Sequence, residues 1–144
     1  MSDLDAIRGL VHRYADAVCG ADHDRWLATW SEDAVWEIGR GPTVGRDQIG
    51  AAFARAMSLF ESVVQLVHNG QAEVEGDRGS GRWYMSEVSR TRSGKNLLYL
   101  GAYDDHYVRT DGTWRFARRQ LNWHYQGPAD LSGTFGPPPG YYRC

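Results

Sequence analysis

The side chain of this sequence best suited to moving a proton is His68. Around it, Val64, Leu66, His68, Gly70, Ala72 and Val74 alternate with Val63, Gln65, Val67, Asn69, Gln71 and Glu73. A strand with that pattern turns the first set to one face and the second to the other. The first face is the more apolar and is expected to point into a core or pocket. An imidazole placed there is desolvated, which favours its neutral form unless an acid lies beside it. Two roles fit it. One is a core histidine bonded to backbone; the other is a general base, for which an imidazole's ordinary pKa is well placed. A histidine base is commonly oriented by an acid on its second ring nitrogen. Asp16, Asp22, Asp24, Asp33, Glu87, Asp104 and Asp105 are the candidates. Asp22 follows the first predicted helix, where it could equally cap a helix or sit in a solvated turn. Asp24 reads as a helix cap and Asp33 as a turn residue.

Other polar groups read as secondary. Tyr84, Tyr99, Tyr103 and Tyr125 fall in strand-like runs as core or rim aromatics, any of which could donate to a substrate oxygen. Arg109 lies in a hairpin arm, while Asn122 and His124 share a face of the last strand and are expected near the pocket mouth. His12, His23 and His106 read as surface residues. The wide spacing of His68, His106 and His124 gives no metal-site pattern. No glycine-rich phosphate loop follows a strand, so no nucleotide cofactor is implied. The expectation is therefore no metal and no cofactor.

The elements that must position these groups can be read from periodicity. Ile7, Leu10, Val11, Tyr14, Ala15 and Val18 recur at helical spacing, with Asp3 or Asp5 available as cap and Gly20 as terminator. Asp24 is the expected N-cap of a short helix carrying Trp26, Leu27 and Trp30. Residues 34–38 read as a strand and residues 39–45 as a loop. A third helix carries Ile49, Ala52, Phe53, Ala56 and Phe60. The His68 strand follows, and then strand-like runs at 82–91, 97–109 and 114–125. Turn signals separate them: Gly76-Asp77 with Gly79-Ser80-Gly81, then Ser93-Gly94, then Asp111-Gly112. Residues 126–144 form an irregular Gly/Pro-rich tail. Helices followed by a run of strands predict an α+β fold. The expected form is one cone-shaped domain over 1–144, its curved antiparallel sheet wrapped around N-terminal helices and open at one pocket.

Composition narrows the function classes. A chain of 144 residues is one domain on length. Its 16 basic and 18 acidic residues leave a net charge of −2 and no basic stripe, which argues against nucleic acid. Cys19 and Cys144 give neither a disulfide framework nor zinc spacing. The opening MSDLDAIRG does not read as a signal peptide, and no apolar run reaches the ~20 residues of a membrane span. A cytoplasmic protein without membrane partners is the expectation. Trp, Tyr and Phe make up 12% of the chain, enough to line a pocket for a flat or hydrophobic ligand.

The stretch YADAVCGADHDRWLATWSEDAVW, residues 14–36, resembles the opening of the SnoaL-like branch of the nuclear transport factor 2-like superfamily. It is most similar to the hexachlorocyclohexane dehydrochlorinase and scytalone dehydratase group. Gln65-Leu66-Val67-His68-Asn69-Gly70 resembles the group's histidine-bearing strand, and YDDHYVRTDGTWRF resembles its late hairpin. The resemblance implies a catalytic Asp22–His68 pair and a leaving-group role for Arg109. Gly81-Arg82-Trp83-Tyr84 is similar to a strand of the bile-acid 7α-dehydratase group, which implies pocket roles for Tyr14 and Glu87. Trp36, Tyr103, Asn122 and His124 complete the expected substrate-binding set. The chain departs from these groups at Val18 and Trp123, where they carry a tyrosine and an arginine, so their substrates do not transfer. The implied activity is a cofactor-independent lyase of dehydratase type acting on a small hydrophobic substrate. An isomerase, a polyketide cyclase or a non-catalytic binding module are the alternatives. The resemblance also implies a homo-oligomer, trimer or dimer, and an exposed sheet face bearing Val63, Val67 and Trp83 is consistent with either.

Overall fold

The structure, a computed structural model, describes residues 1–134 and 136. Helix α1 (Asp3–Cys19) buries Ile7, Leu10, Val11, Tyr14, Ala15 and Val18, the stripe expected from its period, and also Ala17. Its N-cap is Ser2, whose hydroxyl accepts from Asp5 N, rather than Asp3 or Asp5. Gly20 stays right-handed and Ala21 takes the left-handed turn at φ 51°. Ala21 N then donates to Val18 O and Asp22 N to Ala17 O, closing the helix end in a Schellman pattern. Asp22, not Asp24, caps the short helix α2 (His23–Leu27). Trp30 belongs to strand β1 (Trp30–Glu37) rather than to that helix. The expected loop contains a short strand, β2 (Pro42–Val44), ahead of helix α3 (Arg46–Met57).

Four long strands follow: β3 (Phe60–Glu75), β4 (Arg78–Thr91), β5 (Asn96–Thr110) and β6 (Thr113–Pro128). The tight β5–β6 turn has Asp111 and Gly112 both at positive φ, as its sequence requires. All six strands form one curved, unclosed sheet in the order β2-β1-β6-β5-β4-β3. The sheet is mixed rather than wholly antiparallel, because β1 runs parallel to β6. The fold is α+β, and the helices close over the concave side of the sheet. There Trp26, Trp30 and Phe116 are fully buried, and Trp26 stacks on Phe53 at 3.9 Å. Much of the aromatic content is thus core between helices and sheet. The tail expectation over 126–144 falls partly on β6, which runs to Pro128, and partly outside the described residues.

The face alternation of β3 differs from the expectation. Val63 and Gln65 are buried and Val67 packs on the core, while Val64, Leu66 and His68 are exposed. Between Val67 and Gly70 the strand carries a bulge: three steps along β3 match two along β4, from Met85 to Trp83. One extra residue reverses the parity. Beyond it Ala72 and Val74 pack on the core, so a single alternating face never existed. Trp83 is likewise buried, at 5% exposure, and the outer face of the sheet instead shows Val64, Leu66, Tyr84, Leu100 and Tyr125.

Gly70 seats the bulge against Trp83. A Cβ there would stand 2.3 Å from Trp83 Cε3 and 2.5 Å from Arg82 O, neither of which is a flexible chain end. Gly70→Ala is therefore expected to cost at least ~1–3 kcal/mol, the usual range for overpacking. Urea unfolding measures it, and an unchanged midpoint would show that the bulge does not need glycine.

Candidate functional site

Inside the cone lies a cavity of about 260 Å³. Tyr14 and Val18 of α1 and Phe53 and Met57 of α3 form its helical side, with Trp36 of strand β1 beside them. Gln65, Met85, Glu87, Tyr99, Tyr103, Leu121 and Trp123 form the sheet side. A larger hollow, about 650 Å³, runs between the start of α1 and the β3–β5 end of the sheet. Leu4, Arg8, Glu73, Arg82, Asp104 and His106 border it, and there Arg82 and Asp104 neutralise each other at 2.9 Å. The smaller cavity is the better candidate, because apolar walls surround a few convergent polar groups in it.

Those groups are Glu87, Gln65, Tyr103 and Tyr14. Gln65 and Glu87 are cross-strand partners on β3 and β4. Gln65 Nε2 donates to Glu87 Oε1 at 3.0 Å and to Tyr103 Oη at 3.2 Å. The Gln65 backbone, on the open edge of the sheet, is tied to α1: its N–H donates to Cys19 Sγ at 3.2 Å and its carbonyl accepts from that thiol at 3.3 Å. Glu87 lies deep in the molecule yet keeps some accessible surface, since it borders the cavity. Burial pushes its carboxyl above the ordinary glutamate value, and the Gln65 hydrogen bond offsets part of that rise. Among the described residues lining the cavity none is a cation.

Tyr14 and Tyr103 meet edge to face with ring centroids 5.9 Å apart. Beneath them Arg119 stands 3.7 Å from the Tyr103 ring centroid, 4.3 Å from that of Tyr14 and 4.2 Å from that of Phe116. Its Nε and Nη2 donate to Asp105 at 2.8 and 3.0 Å, in a pair with no exposed side-chain surface. Tyr107 Oη donates to the same carboxylate at 2.9 Å and accepts from Trp83 Nε1 at 2.9 Å. Burial works against the Arg119 charge, but Asp105 outweighs it and holds the guanidinium above its ordinary pKa. Burial likewise pushes both pocket phenols up, Arg119 pulling them back only in part, so they stay protonated and can donate.

The structure brings Tyr14, Trp36, Glu87 and Tyr103 together at the cavity and leaves the other sequence-predicted residues elsewhere. Asp22 Oδ1 accepts from Arg25 N at 3.2 Å as the cap of α2. His68 is exposed on the outer sheet face, its Nε2 2.7 Å from Ser86 Oγ. The two residues share no hydrogen bond, and neither borders the cavity. The inward placement of His68 is thereby corrected: it follows from the assumed parity, which the bulge reverses. Arg109 bonds Asp3 at 2.7 Å and Asp77 at 2.8 Å, clasping α1 to the β3–β4 turn. Asn122 donates to Asp104 at 2.6 Å on the outer face, and His124 packs edge-on against Tyr84, ring centroids 6.0 Å apart. Sequence reasoning missed Gln65 by assigning it to the outer face, and missed Arg119 altogether. A signal for Arg119 was available: it alternates with Leu121 and Trp123 on the inward side of a strand.

Comparison with known proteins agrees with the fold. Residues 1–120 match the SnoaL-like domain family. The gamma-hexachlorocyclohexane dehydrochlorinase of Sphingobium indicum is 28% identical over 97% of this chain and 95% of its own. Among solved structures, a hexachlorocyclohexane dehydrochlorinase of Novosphingobium barchaimii superposes with a TM-score of 0.82 at 20% identity, covering 92% of this chain and 94% of that one. A scytalone dehydratase candidate of Novosphingobium aromaticivorans gives 0.81 at 18% identity, covering 88% and 87%. With the family matched over most of its length, this chain belongs to the SnoaL-like domain family.

Proposed function

We propose that the chain is a lyase that starts by taking a proton from carbon, with Glu87 as the base. The observation that carries this reading is a desolvated carboxylate bordering an apolar cavity, joined through Gln65 to a phenol. Loss of solvation makes a carboxylate more basic and brings it closer to the pKa that general-base catalysis favours. Tyr14 and Tyr103 supply neutral donors for charge that develops on a substrate oxygen, with the Arg119 cation behind their rings. The step balances without a co-reactant. Glu87 takes the proton, the C–H pair becomes a double bond or an enolate, and the leaving group departs with its own pair. Water or HX is released when Glu87 gives the proton up.

The cavity fits a small substrate, since its volume lies just under the ~300–1,000 Å³ common for ligand pockets. Flat faces from Trp36, Phe53, Tyr99 and Trp123 suit a ring. An acidic lining without a cation disfavours an anionic substrate. The relatives' names, a dehydrochlorinase and a dehydratase candidate, support elimination as the reaction class.

Hexachlorocyclohexane and small cyclic β-hydroxy ketones are the probes for turnover, with product mass as the readout. Loss of HCl or water marks a lyase, and an unchanged mass marks an isomerase or cyclase. On a substrate that turns over, Glu87→Gln is expected to lose ~10²–10⁴-fold in rate, the usual worth of general-base help. His68→Ala and Asp22→Asn are expected to keep their rate. The reverse pattern would put the chemistry on Asp22 and His68 and sink the Glu87 reading.

The same carboxylate predicts a pH-dependent stability difference. Its folded pKa is raised, so the folded state binds the proton more tightly than the unfolded chain. Stability from this group is complete below the ordinary glutamate value of ~4.3 and is lost as pH rises through the higher folded value. Glu87→Gln removes the buried charge and should raise the thermal midpoint at neutral pH, the gain shrinking towards acid. An offset that does not change with pH would count against a buried ionised Glu87.

A further inference from the structure

Gln65 lies between the proposed base and the pocket phenol, and its amide is used unevenly. Both its good hydrogen bonds leave from one atom, Nε2, to Glu87 Oε1 at 3.0 Å and Tyr103 Oη at 3.2 Å. Its other amide atom, Oε1, is buried with no hydrogen-bond partner. In this arrangement Tyr103 accepts from Gln65, which leaves its own hydrogen free to turn towards Tyr14, the phenol it faces. The arrangement suits an ionised Glu87, which can only accept.

Protonating Glu87 changes what Gln65 must offer. The acid becomes a donor, and Gln65 is the described side chain to which it is bonded. A half-turn of the Gln65 amide puts Oε1 where Nε2 was. The last torsion of glutamine is broad and nearly two-fold, so the turn meets little intrinsic resistance. A carbonyl oxygen has two lone pairs and can accept from Glu87 and from the Tyr103 hydroxyl at once. The present orientation strands the amide oxygen and the turned one would strand the NH₂ group, so it is the bonds to Glu87 and Tyr103 that must favour the turn once Glu87 is protonated.

We propose that Gln65 is a positioning residue whose amide turns over with the proton on Glu87 and so sets where the Tyr103 hydroxyl points. The inference rests on the reading of Glu87 as the base. With Glu87 ionised, Tyr103 accepts from Gln65 and its own hydrogen turns away from the base, towards Tyr14 and the cavity that both phenols border. With the proton on Glu87, Tyr103 donates to Gln65 instead, which leaves Tyr14 as the remaining phenol donor to a substrate oxyanion and favours collapse to product. The titratable groups facing Glu87 do not compete for the proton. Tyr14 and Cys19 on α1 and Tyr99 and Tyr103 on β5 are all pushed up by burial, and Arg119 on β6 stays charged.

Nuclear magnetic resonance on the ligand-free 144-residue chain tests this without a substrate. The side-chain NH₂ pair of Gln65 is assigned by its absence from Gln65→Met and followed with the Glu87 carboxyl carbon as pH falls. The expected result is a cross-relaxation contact from the Gln65 NH₂ hydrogens to the Tyr103 ring that is present in the ionised state and lost in step with Glu87 protonation. Glu87→Gln should abolish the pH dependence. If that variant does not fold, Tyr103→Phe serves as control: the Gln65 NH₂ shift should still follow Glu87. A contact that persists on both sides of the titration, or an amide indifferent to pH, overturns the switch. Because turnover is not measured, a fixed amide leaves the role of Glu87 standing, and loss of that role is read separately from the rate of Glu87→Gln.

Discussion

The interior of this cone is organised around a charge pair that has no contact with water. Arg119 and Asp105 are direct cross-strand partners on β6 and β5, and both side chains are fully covered. Removing two charges from water costs several kcal/mol for each ion, recovered only with near-ideal geometry and further hydrogen bonds. The structure supplies both for the carboxylate, while Arg119 Nη1 stays buried without a hydrogen-bond partner. The guanidinium meets the carboxylate through two nitrogens, and Tyr107 fills a remaining acceptor site while Trp83 fixes Tyr107. Losing either partner alone would strand the other charge, at a typical cost of ~3–5 kcal/mol. The stacking of Tyr14, Tyr103 and Phe116 on the guanidinium follows from that commitment. A cation that cannot move dictates where three rings lie, and two of those rings carry the hydroxyls of the pocket.

Glu87 shows what the same interior does to an acid without a cation. Asp105 and Glu87 are both desolvated, and burial pushes both carboxyls up. Asp105 is answered by a bidentate arginine, so its charge is absorbed into the scaffold. Glu87 is answered by one amide hydrogen and borders a cavity. The two acids shift in the same direction and differ in their partners, and a desolvated acid with few partners beside a cavity is a candidate for chemistry. A carboxylate satisfied on every side has no reason to take a proton from a ligand, whereas a poorly satisfied one does. That contrast, more than pocket shape, separates the candidate base from the other acids weighed on sequence grounds. Asp22 caps a helix and Asp104 pairs with Arg82 at the surface.

Much of the architecture was legible because it follows from local chemistry. The apolar stripe of α1 faces the sheet as its period requires, and the Asp111-Gly112 turn joins β5 to β6. The family resemblance rather than local chemistry points Tyr14 and Glu87 to a pocket, and both border the cavity together with Trp36 and Tyr103. Other features depend on tertiary context. Asp22 could have been a solvated residue or a cap, and only the closing turn of α1 decides, since the same residue ends one helix with its N–H and starts the next with its carboxylate. The parallel pairing of β1 with β6 joins segments far apart in sequence, and nothing in either strand announces it.

The bulge at His68 carries the most consequence for so small a feature. Period-two reasoning assumes that parity, once set, persists along the strand. Here parity is set twice: by Val63, Gln65 and Val67 before the bulge, and by Gly70, Ala72 and Val74 after it. Averaging across the two halves places His68 inside and Gln65 outside, the inverse of what occurs. The exchange alters the chemistry that follows. An inward histidine would have been a base in its own right and would have needed an acid to orient it. An inward glutamine cannot hold a catalytic proton, and the acid opposite it, Glu87, is the titratable partner its amide meets. On the proposed reading, one inserted residue in β3 moves the proton-accepting role from the strand that bears the histidine to its neighbour, and the Gln65 amide bridges that acid and the phenol beside it.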